Sequence, residues 1–94
     1  MQVSYSRTLP SDRAHSSLGR LKAMTGWRSA EAPVTDFDRE SALRALVREA
    51  EDFGADALIA VSYSEEVVQG AEIGAAPLRR IVATGEAVRY RMAA

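Results

Sequence analysis

Apolar positions along the chain change period several times, and each change marks an element. Residues 2–8, QVSYSRT, set Val3 and Tyr5 against polar neighbours and stop at Pro10, which has no amide to give a ladder, so a short edge strand is predicted. SDRAHSS, residues 11–17, reads as a polar turn or loop. In LGRLKAMTGWRS, residues 18–29, Leu21, Ala23, Thr25 and Trp27 share one parity while Arg20, Lys22, Met24 and Arg28 fall mostly on the other, the pattern of a half-buried strand. Leu21, Met24 and Trp27 are also three apart, so a helical face stays open as an alternative.

After the small-residue linker SAEAPV the period changes to that of a helix. Leu43, Leu46, Val47, Ala50 and Phe53 recur at amphipathic spacing, and Thr35 with Asp38 three residues later resembles a capping box with a shorter acid. Asp36 and Asp38 sit where the helix dipole favours negative charge and need no catalytic role. Glu40 with Arg44, and Arg48 with Glu51 or Asp52, are spaced to pair on the exposed side. Gly54 falls where a left-handed residue closes a helix. ALIAVSY, residues 57–63, is then an uninterrupted apolar run, predicted as the central strand. SEEVVQGAEIGAAP reads as a long hairpin connection, and LRRIVATGEAVRYRM returns as the last strand. Its Val82, Thr84, Glu86, Val88 and Tyr90 face one way and Ile81, Ala83, Gly85 and Ala87 the other, with Gly85 marking a bulge or a close backbone approach.

The order is strand, strand, helix, strand, strand: a two-layer α+β domain spanning 1–94, with one main helix over a small, mostly antiparallel sheet. One helix covers one face. Ile59, Val61 and Val88, or the residues opposite them, would then lie on a sheet surface that only another subunit can bury.

Composition narrows the chemistry. Apolar residues at 47% and charged residues at 27% suit a folded globular domain, and a formal charge of −1 from twelve basic and thirteen acidic residues disfavours a long nucleic-acid footprint. The chain has no cysteine, which excludes disulfides, thiolate catalysis and Cys-based zinc sites. MQVSYSRTLP has neither the basic region nor the apolar core of a signal peptide, and no stretch approaches membrane-spanning length, so a cytoplasmic protein is the expectation.

ALRALVREAEDFGADALIAVSY followed by RRIVATGEAVRY resembles the YbjQ family, an uncharacterised family labelled as a heavy-metal-binding domain. Phe53-Gly54-Ala55-Asp56-Ala57 occupies the family's Leu-Gly-Ala-Asp-Ala pattern with Phe for Leu, and Gly85-Glu86-Ala87-Val88 its Gly-Thr-Ala-Val pattern with Glu for Thr. LGRLKA is similar to the family's Leu-Gly-x-Val-x-Gly strand, with Ala23 at the second Gly, and the connection before the helix is shorter than usual. The resemblance implies a dodecin-like subunit assembled into a homo-oligomeric ring, usually a pentamer.

The label needs soft or borderline ligands, and His15 is the lone histidine; Asp12, three residues before it, has a spacing that would let both reach one metal, while the plainer reading is a solvated loop histidine. A ring would gather one His15 per subunit about its axis. Asp56, just past the helix end, is a candidate ligand-binding or interface acid, or simply a carboxylate that ties the turn. Arg79 and Arg80, with Arg89 and Arg91, concentrate positive charge able to grip a phosphate or carboxylate, or to protect a strand edge. Trp27, Tyr5, Tyr63 and Tyr90 are read as core or interface aromatics. Ser16, Ser17 and His15 are only sequence neighbours and make no triad, and the loop from Gly70 to Gly74 lacks the lysine of a phosphate cradle.

Two functions fit these residues. One is a non-enzymatic binding or scaffold ring holding a metal or small ligand between subunits; the other is a small enzyme whose acid and base come from different subunits. Convergence of Asp56, Glu86 or His15 in one concave site would favour the enzyme.

Overall fold

The computed structural model describes residues 1–8, 14–70 and 75–91. Its strands are β1 (Gln2–Val3), β2 (His15–Met24), β3 (Arg28–Ser29), β4 (Ala57–Val68) and β5 (Leu78–Tyr90), with one helix, α1 (Asp36–Asp52), between β3 and β4. The sheet order is β1-β4-β5-β2, with β3 pairing the start of β5 beyond the end of β2. All pairings are antiparallel except β1 with β4. The α+β two-layer arrangement is the one expected, and ALIAVSY, expected as the central strand, lies inside the sheet between the N-terminal segment and β5; β5, between β4 and β2, is the other inner strand.

The helix begins as its residues dictate. Thr35 is the N-cap, its hydroxyl accepts from the Asp38 amide, and Asp38 Oδ2 accepts from the Thr35 amide at 2.8 Å, completing the capping box. Gly54 follows the C-cap Phe53 at φ +77°, closing the helix in the left-handed conformation. The buried stripe is Ala42, Leu46 and Ala50, all fully buried. Leu43 and Val47 only flank it, and Phe53, expected to join it, lies beyond the last turn and is 58% exposed. Arg39–Asp36 and Arg44–Glu40 pair on the outer face, whereas Arg48 makes no ion pair with Glu51 or Asp52.

β5 presents Ile81, Ala83 and Ala87 to the helix, with Gly85 between them where Leu46 comes closest. Both readings of Gly85 hold: Leu46 approaches it closely, and it lies opposite the β4 bulge, where Ala60 and Val61 between Ile59 and Ser62 face it alone. A second irregularity falls between Ser17 and Gly19 in β2. The β4 bulge explains why ALIAVSY does not alternate. Ala60 adopts φ 52°, so Leu58 and Val61 both reach the helix-side core while Ala57 and Ile59 turn to the opposite face.

The N-terminal third departs most from expectation. The first strand ends at Val3, because the Ser4 hydroxyl accepts from the Ser6 amide and donates to the Thr8 carbonyl, drawing the backbone into turns. Pro10 lies outside the described residues. His15, Ser16 and Ser17 belong to β2 rather than to a loop, paired with Tyr90, Arg89 and Val88. β2 is a strand and not a helix, and it breaks at Thr25, whose hydroxyl accepts from the Ile81 amide. β4 runs five residues past Tyr63, taking 64–68 out of the expected connection.

The exposed apolar surface is also displaced from its expected place. Ile59 and Val88 are 2% and 0% exposed on the helix-free face, clustered with Ala57 and flanked by Tyr90, so they need no second subunit to bury them. Val67 and Val68 are instead 57% and 43% exposed at the far end of the β4–β5 hairpin. That hairpin makes the chain long: 62 × 20 × 16 Å, with a radius of gyration of 16.0 Å against about 12 Å for a compact chain of this length.

Candidate functional site

β5 carries the candidate residues from one end of the molecule to the other. Arg79 and Arg80 stand near its start, Glu86 at its middle, and Tyr90 at its end, where His15 pairs across one edge and Asp56 bonds across the other. The eleven residue steps from Arg79 to Tyr90 span about 36 Å. In one copy these are three separate places.

At the far end, the Asp56 amide donates to the Val88 carbonyl at 2.9 Å and its Oδ2 accepts from the Tyr90 amide at 2.8 Å. The carboxylate thus joins the entrance of β4 to the end of β5. His15 flanks Tyr90 from the opposite side, roughly 10 Å from Asp56 across two strand spacings. The Tyr90 hydroxyl donates to Gln2 Oε1, Arg91 to the Ser16 hydroxyl, and Arg89 to the Gly54 carbonyl. Asp12, the expected partner of His15, lies outside the described residues.

Midway, Glu86 Oε1 accepts from the Ser17 hydroxyl at 2.9 Å, and the hydroxyls of Ser62 and Thr84 share a hydrogen bond of 3.0 Å. Arg20 and Lys22 are the cross-strand partners of Glu86 and Thr84, exposed and without a salt bridge. This polar centre of the helix-free face includes two cations that sequence reasoning left unused. Their alternation with Leu21 and Ala23 was the available signal.

Near the start of β5 three arginines gather. Arg28 Nη1 meets Asp38 Oδ1 at 2.7 Å, Arg80 meets Glu66 at 3.1 Å and lies 4.3 Å over the Trp27 ring, and Arg79 donates to the Ala32 carbonyl, with Glu65 at 4.0 Å. The Thr35 amide, the Thr35 hydroxyl and Arg28 hold the Asp38 carboxyl below the usual carboxylate range against the opposing effect of burial. A recess here, lined by Thr25, Arg28, Asp38 and Arg79, has about 10 Å³ of space, room for one water. Arg28 is the participant the sequence did not disclose, since only the fold lays β3 beside the helix N-terminus.

Of the four aromatics, Tyr5 and Tyr63 form a tilted pair with ring centroids 6.2 Å apart and hydroxyls 3.2 Å apart. Burial and the Tyr5 hydroxyl push the Tyr63 phenol up to about 12. Among the described residues no group of three or more His, Asp or Glu side chains is arranged to hold a metal, and no helix is long and apolar enough to cross a membrane. The donor set of one copy, with one imidazole and no thiolate, does not fit a soft metal ion.

A capped helix laid over a mixed sheet, with open strand edges and dispersed polar groups, defines a small α+β domain. The chain belongs to the YbjQ family, matching over residues 3–91 the family described as "Putative heavy-metal-binding". A protein of unknown function from the DUF74 family of Pediococcus pentosaceus has a similar crystal structure, with a TM-score of 0.69 at 15% identity over 97% of this chain and 98% of that one. That likeness is one of fold. No curated protein matches.

Proposed function

We propose that this chain is the subunit of a ring-forming, non-enzymatic binding protein, a pentamer in the usual form of the family, whose metal or small-ligand site lies between subunits. The observation that carries this reading is the scatter of Arg79 and Arg80, Glu86, and His15 with Asp56 over three parts of one elongated copy. Only assembly brings such groups together. The described residues of one copy hold no group of three or more metal ligands, so a metal would take His15 from more than one copy. The exposed Val67 and Val68 on a projecting hairpin support association on separate grounds.

Light scattering after size exclusion, with native mass spectrometry before and after chelation, tests both parts. The expected result is one closed oligomer carrying bound mass beyond the chains, with His15→Ala removing that mass if it is metal. A monomer at micromolar concentration would overturn the ring, and a ring with no bound mass after exposure to zinc, copper and cell extract would overturn the binding role.

A further inference from the structure

We infer that the outer edge of β4 in one copy docks, as a parallel strand, on the outer edge of β2 in the next copy, with Glu66 facing Lys22 and Val67 entering the groove between β2 and α1. The inference rests on the ring reading and says how the ring closes.

The two edges are open on opposite sides of one sheet. Among the described residues β1 pairs only with Ala57 and Leu58, and Ser4 and Ser6 bond to Val61 and Ala60, so residues 62–68 of β4 have no outer neighbour. β2 is the last strand on the other side. A long open edge with an exposed valine pair recruits other strands unless something covers it.

Direction and register follow from pairings inside the chain. β2 and β4 both run antiparallel to β5, hence parallel to each other, so a rotation carrying one copy to the next joins β4 to β2 in parallel. Lys22 and Ser62 both lie level with Thr84. Sliding the next copy four residues along the strands sets residues 64–68 beside residues 20–24. An even slide keeps every side chain on its own face, and closed sheets require such a stagger.

In that register groups of opposite charge and exposed apolar groups on the two edges meet, Glu66 keeping its pairing with Arg80 at 3.1 Å. Glu66, on the helix-free face, meets Lys22, which has no partner in its own chain, and exposed Val68 meets Met24, itself 36% exposed. On the helix side, Val67 meets Ala23 at a groove of about 380 Å³ lined also by Ala45, Arg48, Glu49 and Asp52. Glu65, whose contact with Arg79 at 4.0 Å is the longest ion pair among the described residues, comes toward that same Arg48.

The chain has no cysteine, which makes a crosslinking test clean. The variant carrying both Lys22→Cys and Glu66→Cys is mildly oxidised and run without reductant, beside each single variant, after light scattering of the wild type. The expected result is a ladder of covalent oligomers ending at the ring's copy number for the double variant, and single chains for each single variant. Covalent dimers from either single variant would mean a two-fold junction and overturn the proposal. An intact oligomer in which the double variant forms no ladder overturns this junction and leaves the ring standing, whereas a monomeric wild type removes both. As a second measurement, Lys22→Glu and Glu66→Lys are each expected to dissociate the oligomer, and their combination to restore it. Dissociation that the combination does not repair counts against the pair.

Discussion

Gly85 in β5 lies directly beneath Leu46 of α1: a Cβ at Gly85 would stand 3.4 Å from Leu46 Cδ2 and 3.2 Å from Val61 Cγ2. The absence of a side chain is what lets helix and sheet meet over a bulged strand. A larger residue must displace a fully buried leucine in a close-packed core. Gly85→Val is therefore expected to lower stability by about 1–3 kcal/mol. Urea unfolding followed by circular dichroism reads this, and an unchanged midpoint would show that the helix lifts freely.

Ala60 sits at φ 52°, a conformation that costs a residue with a Cβ roughly 1–2 kcal/mol. Its amide donates to the Ser6 carbonyl at 2.7 Å, so the conformation anchors the N-terminal segment as well as turning the strand. Ala60→Gly relieves the strain but adds freedom to the unfolded chain, and the expected net is a gain of about 0.5–1 kcal/mol. Ala60→Val is expected to destabilise. Paired thermal melts decide, and a stabilising valine would contradict the left-handed geometry.

Thr35 and Asp38 cap the helix reciprocally, and Asp38 also receives Arg28. Thr35→Ala is expected to cost about 1 kcal/mol. The Asp38 carboxyl is depressed in the folded state, so its contribution is present above the unfolded carboxylate value and is lost as pH falls through the folded one. Asp38→Asn should flatten the acid limb of the stability–pH curve. Parallel acid limbs for variant and wild type would show that other carboxylates set it.

Tyr63 resists ionisation, with its phenol raised from 10 to about 12 by burial and by the Tyr5 hydroxyl. A raised folded-state value means that the stabilisation is complete below pH 10 and is lost as pH rises through about 12. Tyr63→Phe is expected to remove that alkaline decline. Phenolate absorbance should lose, in Tyr63→Phe, a component that titrates near pH 12 in the wild type.

The local elements were legible because short-range chemistry writes them. Thr35 and Asp38 announce the helix start, Gly54 its end, and the parity of residues 81–88 separates the two faces of β5. Where hydroxyl chemistry competes with ladder formation, as at Ser4, strand patterning misleads. The strand beyond Tyr63 was hidden because Ser64, Glu65 and Glu66 look like a loop until Ile81 and Arg80 lie opposite them.

By itself the sequence determined the α+β class, the caps, the place of the helix and the resemblance to its family, since each depends on residues a few positions apart. Only the tertiary structure decided that β5 lies between β4 and β2, that Ile59 and Val88 are already buried, that Arg28 reaches Asp38, and that the candidate residues are dispersed along about 36 Å of β5. Those facts depend on which strands pair and at what register. A single bulge at Ala60 reassigns every later side chain in β4 to the other face, and the apolar run around it carries no mark of where the bulge falls.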